Sequence, residues 1–373
     1  MIRSLVALLL LGAAPQAIAC TAVDVMAVDK SVIAGRTMEW AFDMDWTLKS
    51  VPKGAELAMT APAGLGLPAR KVAATHAFVG VSAEVIPGGA ILEGQNDAGL
   101  GMSGNFLPGF TEYQAVTPED RSYVSILEFG AWALGTHGSV AEIRTALAGT
   151  RVWADDSLQS GPTPPTLHLV FTDRSGDGLV AEYVGGALKV HDSAHVLTNA
   201  PTYDWHLTNT RNYLNLTSMG VMERELGKTS LTALGQGGGM LGLPGDYTSP
   251  SRFVRAATLR AALEQPADAA EAAQAVAHIL NTVDVPLGAV QSEEGSEVVT
   301  EYTQWVTLKD LTHDRMMITD YAHRTTYLTL DLREIFAQTE PTAIRVADLP
   351  YPEGVDATAA LAPKPVKAAA APD

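Results

Sequence analysis

No pair of cysteines exists in these 373 residues. Cys20 stands alone, so an intrachain disulfide is excluded. Positive charge is also scarce: 25 Lys and Arg face 42 Asp and Glu, a formal net charge of −17. That balance argues against nucleic acid and against anionic membrane surfaces as partners. The nine histidines form no H-E-x-x-H and no Cys/His cluster, so no metal site or cofactor is expected. The longest apolar stretch near the start, Leu5 to Leu11, is too short to cross a bilayer, and no stable membrane insertion is expected.

That apolar stretch is the first feature present. Arg3 precedes it and Ala17-Ile18-Ala19 follows it. Residues 1–19 therefore read as a signal peptide with a small-x-small cleavage site, giving a periplasmic or secreted protein. Cleavage after Ala19 would leave Cys20 with a free α-amine, a nucleophile and a base on one residue. An unpaired thiol in an oxidising compartment invites oxidation, so some benefit must keep it. The alternative is a lipobox, with Cys20 lipidated and the protein an inactive, membrane-anchored binding protein. Lipoboxes usually carry Leu where this chain has Ala17. A polar tether is also expected after a lipidated cysteine. Here Thr21-Ala22-Val23-Asp24-Val25-Met26-Ala27-Val28 is dense in β-formers and starts a strand at once.

Residues 20–352 are long enough to bury one large core. Strands are expected over 21–28 and 31–38, joined at Asp29-Lys30, then over 77–83, 87–92 and 100–106. Helices are expected over 119–134 and over 139–148, the second capped by Ser139. Pro162, Pro164 and Pro165 break the chain. Strands over 166–172, 178–184, 187–191 and 194–198 follow. Two alanine-rich helices, 250–264 and 267–281, precede three strands at 301–309, 314–320 and 325–331. Strands and helices come in blocks, which predicts antiparallel sheets with helices outside. The Ala/Pro/Lys-rich tail, 353–373, is expected to be disordered.

Several short motifs carry little. The glycines at 237, 239 and 242 spell G-x-G-x-x-G, but Leu243-Pro244-Gly245-Asp246 continues as loop where a helix is required. Ser50-Val51-Pro52-Lys53 has the S-x-x-K spacing without companion elements. Arg36 and Glu39 are more telling. If the first two strands form a hairpin, Arg36 lies beside Cys20 and its guanidinium stabilises the thiolate. A nearby carboxylate could then orient the α-amine. The alternative is a surface ion pair of little consequence.

Longer blocks are more specific. Cys20-Thr21, Gly35-Arg36-Thr37-Met38-Glu39-Trp40, Val196-Leu197-Thr198-Asn199-Ala200-Pro201, and Ser230 through Gly237 running on to Leu243-Pro244-Gly245-Asp246 and Arg252-Phe253 resemble the choloylglycine hydrolase family. That family holds bile salt hydrolases and penicillin V acylases within the N-terminal-nucleophile hydrolases. The resemblance implies an α+β fold, an αββα four-layer sandwich of two antiparallel sheets flanked by helices. It implies hydrolysis of a linear, non-peptide amide through a thioester: a conjugated bile salt, penicillin V or a related N-acyl amide such as an N-acyl homoserine lactone. It also implies a homo-oligomer such as a tetramer. Carried over by position, Cys20 is the nucleophile, Arg36 its charged neighbour, Asn199 an oxyanion or positioning residue, and Arg252 the second active-site arginine. Glu39 stands where the family usually has aspartate. The family's Asn-or-Tyr oxyanion position falls on Phe106 in ungapped register, and on Asn105 through a local bulge. Met38, Phe42, Met44 and Phe106 are candidates to line an apolar acyl pocket, with Trp40 and Trp46 interleaved; ordinary core packing explains them equally well.

Overall fold

The computed structural model describes residues 19–86, 89–154, 165–294, 297–352 and 354–361. The expected signal peptide, Pro162, Pro164 and most of the expected tail lie outside these residues. Within the tail, Thr358–Leu361 forms a 3₁₀ turn.

The chain begins with the expected hairpin. Thr21–Met26 pairs antiparallel with Val32–Trp40, setting Ala22 opposite Arg36 and Thr21 opposite Thr37. Lys30 makes the turn at φ 74°, and the Asp29 carboxylate accepts from the Ser31 N–H at 2.8 Å. Every residue of Val32–Trp40 is buried, because both faces of this strand are covered. One face meets a helix. A side chain at Gly35 would strike Val276 and Leu280 on Ala269–Asn281, so glycine permits that close approach. The alternating residues Arg36, Met38 and Trp40 therefore face the other way, toward a second sheet.

Two antiparallel sheets result. The first has seven strands. Its path runs Val196–Leu197, Thr21–Met26, Val32–Trp40, Glu297–Asp310, Arg315–Asp320, Leu328–Asp331, with Val290–Glu294 also paired to Glu297–Asp310. The second has eight strands, and Leu167–Thr172, Gly101–Phe106 and Ile91–Asn96 lie at its centre. Helices Ser249–Ala261 and Ala269–Asn281 pack on the first sheet through Phe253, Val276 and Leu280. Helices Phe129–Thr136 and Val140–Gly149 pack on the second through Phe129, Leu134 and Ile143. The layers are α, β, β, α, as expected. Ser139 caps the Val140–Gly149 helix by accepting from the Glu142 N–H.

Some boundaries differ from expectation. No helix starts at Glu119. Instead Tyr123–Ser125 is a strand paired in parallel with Arg151–Trp153, and the helix begins at Phe129. Tyr123, Val124 and Ser125 suit an extended chain better than a helix, and Gly130 lets the helix start settle on the Ile91 carbonyl. The expected 87–92 strand starts only at Ile91; Pro87 and Gly88 are not among the described residues. The glycine-rich 235–245 stretch is loop with one 3₁₀ turn, Gly238–Met240, and the next helix opens only at Ser249.

Candidate active site

Cys20 lies at the start of the first strand, fully buried, between the two sheets. In this chain Ala19 still precedes it, so its nitrogen is a peptide N–H. That N–H donates to Asn199 Oδ1 at 2.6 Å. Hairpin pairing brings Arg36 to the thiol: Nη2 is 3.6 Å from Sγ. The same guanidinium donates to Gly104 O at 2.6 Å and Leu92 O at 3.0 Å. Arg36 is thus fixed by carbonyls of the second sheet while its charge faces the sulfur. Burial is the largest influence on the thiol and pushes its pKa up; the Arg36 charge pulls the other way, and the Glu39 charge adds to the rise.

Two residues arrive from far along the chain. Asn199 follows the edge strand Val196–Leu197, which pairs with Ala22 and Val23. Arg252 sits in the first turns of Ser249–Ala261. Its Nη1 donates to Cys20 O and Thr21 Oγ1, both at 2.6 Å, and its Nη2 donates to Asn199 Oδ1 at 2.8 Å. Asn199 Nδ2 donates to Phe106 O at 3.1 Å. These partners fix which end of the Asn199 amide meets Cys20. A cleft of about 710 Å³ opens here, lined by Ala19, Asn199, Arg252, Phe110, Tyr247 and Val290 among others. A thiol, a positioned nitrogen and amide and guanidinium donors gathered at one end of that cleft suit acyl transfer.

Residues 20–329 match the family described as linear amide C–N hydrolases, choloylglycine hydrolase family. The chain belongs to that family. It is 30% identical over 292 residues to the bile salt hydrolase/transferase of Clostridium perfringens, covering 78% of this chain and 86% of that protein. A solved cysteine-to-alanine variant of the conjugated bile acid hydrolase from C. perfringens superposes with TM-score 0.76 at 27% identity, over 87% of this chain and 96% of that one. An arginine-to-leucine variant of that hydrolase, changed sixteen positions after the cysteine, matches equally well. Cys20 and Arg36 have the same separation. Penicillin V acylase from Agrobacterium tumefaciens shares the fold, with TM-score 0.70 and 21% identity over 87% of this chain and 91% of that one.

Against that family background the remaining candidates divide. Glu39 does not take the Cys20 N–H; Asn199 does. The Glu39 carboxylate instead accepts from Thr37 Oγ1 at 3.1 Å and Thr303 Oγ1 at 2.7 Å. It is fully buried, and burial outweighs these donors and the Arg252 charge, lifting its pKa to about 8. The folded value lies above the ordinary 4.5, so the folded state holds the proton more tightly than the unfolded one. The resulting stability is full below about pH 4.5 and is lost as pH rises through about 8. Glu39→Gln removes that loss. Its urea midpoint is expected to gain on wild type between pH 5 and pH 8; parallel midpoints across that range would refute the assignment.

Asn105 needs no bulge. Gly101–Phe106 pairs with Leu167–Thr172 in unbroken register, Asn105 opposite His168. Its side chain does not donate toward the thiol. Nδ2 is spent on Thr198 O at 2.9 Å and Leu197 O at 3.3 Å, so it braces the strand that carries Asn199. Met38, Met44 and Phe106 pack with Trp40, Leu127 and Leu167 around an apolar space of only about 10 Å³, so here they are closed core. Met38 joins it to the thiol, its Sδ 3.7 Å from Cys20 Sγ. Phe42 lies outside that lining, 50% exposed, edge-on to the Trp40 ring.

Sequence reasoning missed a buried charge cluster behind the thiol. Lys309 pairs with Glu93, whose other oxygen lies 3.9 Å from Arg36. Lys309 also donates to Met102 O and Ser103 Oγ, each at 3.1 Å. Burial lowers the Lys309 pKa, and the Glu93 charge opposes that. The available signal was weak, a single Glu93 in Ile91–Asn96 and Lys309 near the end of Glu297–Asp310, since such charges are kept buried only with partners.

Proposed function

We propose that this protein is a periplasmic or secreted amide hydrolase whose nucleophile is Cys20, exposed as the N-terminal residue by cleavage after Ala19. The arrangement that carries this reading is the pairing of Cys20 N with Asn199 and of Cys20 Sγ with Arg36. Freed from Ala19, the nitrogen becomes an amine. One N–H keeps its bond to Asn199 Oδ1, and the lone pair accepts the thiol proton. The Arg36 charge supports the thiolate as it forms. Sulfur attacks the amide carbon, and the carbonyl oxygen gains charge. Asn199 Nδ2 carries two hydrogens, one committed to Phe106 O, so the second is suited to that oxyanion; such a donor is typically worth about 3 kcal/mol. The ammonium returns its proton to the leaving amine, and water then cleaves the thioester. Arg252 holds the Cys20 carbonyl still throughout, and Asn105 acts through the strand that carries Asn199.

The acyl group is apolar in this reading. Met38, Met44, Trp40 and Phe106 have the surface chemistry for a steroid, phenoxyacetyl or fatty acyl group, which must part these side chains to enter, and relatives act on conjugated bile acids and penicillin V by their names. A lipid-anchored protein is the competing outcome, and burial of Cys20 Sγ weighs against it, because a diacylglyceryl thioether needs room at the sulfur. The test is mass spectrometry of the N-terminal peptide, followed by assay against a glycine-conjugated bile salt, penicillin V and an N-acyl homoserine lactone. The expected result is unmodified Cys20 at position one and release of amine from at least one substrate. A lipidated Cys20, or a cut elsewhere, would end the hydrolase reading.

Self-association belongs to the same proposal. The hairpin Glu223–Leu226 with Thr229–Thr232 is exposed along its whole length. Leu214, Met219, Val221, Leu226 and Leu234 are exposed in and around it. Such a patch favours burial against a second copy. Sedimentation velocity is expected to give an oligomer, and Leu226→Asp with Leu234→Asp is expected to shift it toward monomer; an unchanged wild-type monomer would refute this.

A further inference from the structure

Three backbone groups at Asn199 and Thr198 are held by side chains from other elements. The Asn199 N–H donates to Ser249 Oγ at 2.9 Å. Asn199 O meets His206 Nε2 at 2.8 Å, and the His206 ring stacks on Phe253. Burial lowers the His206 pKa to about 4, so this ring is neutral and donates from Nε2. Thr198 O meets two groups at 2.9 Å, Asn105 Nδ2 and His168 Nε2.

His168 is unlike the other holders. It is completely buried on Leu167–Thr172, a strand otherwise of apolar residues and Thr172. Its Nδ1 lies 2.9 Å from Glu182 Oε1, and Glu182 is itself 1% exposed. Both ring nitrogens thus face oxygen acceptors, a carbonyl and a carboxylate. A neutral imidazole can donate from only one nitrogen. The Thr198 carbonyl can only accept, so Nε2 donates to it, and Glu182 holds Nδ1 from the other side. Glu182 is fixed in turn by the Tyr203 N–H at 2.9 Å, and His191 Nε2 lies 3.8 Å from its second oxygen. Buried pairs of this kind rarely add net stability against an apolar replacement, so their presence beside the site asks for another explanation.

We propose that His168, donating from Nε2 to Thr198 O and held at Nδ1 by Glu182, is a positioning residue for amide hydrolysis that acts through Asn199. It rests on the reading of Asn199 given above. The ring touches neither thiol nor amine. It fixes the carbonyl one residue ahead of Asn199, and so the height at which Oδ1 meets Cys20 N. A misplacement of about 1 Å at such a group costs roughly 10²-fold in rate.

The test compares His168→Phe, which keeps bulk and removes both donors, with His168→Gln, whose amide can still reach Thr198 O. Rates are taken per titrated Cys20 thiol on folded mature protein that begins at Cys20. His168→Phe is expected to lower kcat about 10²-fold with KM within about twofold, and His168→Gln to recover most of it. A His168→Phe variant with wild-type kcat, or a His168→Gln variant no better than it, would overturn the proposal. A merely structural role would lower the folded fraction without that split. The second measurement is nitrogen NMR of ¹⁵N-histidine-labelled wild-type protein, assigned through His168→Gln. A ring protonated at Nε2 is expected, and a ring with bare Nε2 would overturn the proposal even if neither variant folds well. The two failures are distinguishable: wild-type protein that turns over no amide refutes the hydrolase reading and this role with it, whereas active wild-type protein with an unimpaired His168→Phe variant refutes this role alone.

Discussion

Cys20→Ala is expected to abolish amide turnover while leaving the fold in place. Loss of a catalytic nucleophile typically costs about 10⁶-fold in kcat, which brings the rate to background. The structural cost is small because one buried sulfur is removed. Arg36 keeps its bonds to Leu92 O and Gly104 O, and the Cys20 carbonyl keeps Arg252. An unfolding midpoint close to wild type is therefore the control. Cys20→Ser separates chemistry from space. The hydroxyl fits where the thiol sat, but an amine of pKa near 8 is a poor base for it, so most of the rate is expected to go as well. Turnover by Cys20→Ala at more than background would refute the nucleophile assignment, whatever the family likeness.

How far this site was legible depends on the distance in sequence between its parts. Cys20 and Arg36 belong to one hairpin, so strand pairing across a short turn made the guanidinium a candidate neighbour of the thiol, beside the alternative of a surface ion pair, and the structure takes the buried arrangement. Asn199 and Arg252 come from an edge strand and from the start of a helix beyond a long loop. No periodicity connects them to Cys20, and only the resemblance did. Glu39 lies near the thiol, but the Cys20 N–H goes to the Asn199 amide, and sequence cannot rank two acceptors. Antiparallel sheets with helices outside were visible in blocks of strands and helices, and the four-layer order came from the resemblance. The late start of the helix expected over 119–134 shows the limit. Tyr123–Ser125 is extended because Arg151–Trp153 lies ready to pair with it, a contact that local composition does not announce, and the helix begins at Phe129.

Asn199 is the second position where a single change is expected to cost most, and two substitutions divide its work. Its Oδ1 accepts from Cys20 N and from Arg252, and its Nδ2 donates to Phe106 O. Asn199→Ala removes acceptor and donor together. The α-amine then loses its fixed orientation, the oxyanion loses a donor, and Arg252 loses one partner in a buried site. An oxyanion donor alone is worth about 10²–10³-fold in kcat, so a loss of at least about 10³-fold is expected, together with about 1–3 kcal/mol of stability from the unpaired guanidinium donor. Asn199→Asp keeps an oxygen for both Cys20 N and Arg252, but it replaces the Nδ2 donor with an acceptor facing Phe106 O and the oxyanion. It is expected to lose at least about 10²-fold and to retain more stability than the alanine variant, since a carboxylate beside Arg252 is a better partner than a methyl group. Single-turnover kinetics per titrated thiol, with urea unfolding alongside, give both numbers. If Asn199→Ala stayed within about tenfold of wild type, neither the amine nor the oxyanion would depend on this amide, because either function alone should exceed that loss. If instead aspartate proved as damaging as alanine in kcat but not in stability, the donor would account for the chemistry and the acceptor for the fold. The geometry favours the graded result, because the shortest bond to Asn199 Oδ1 is the one from the nucleophile's own nitrogen.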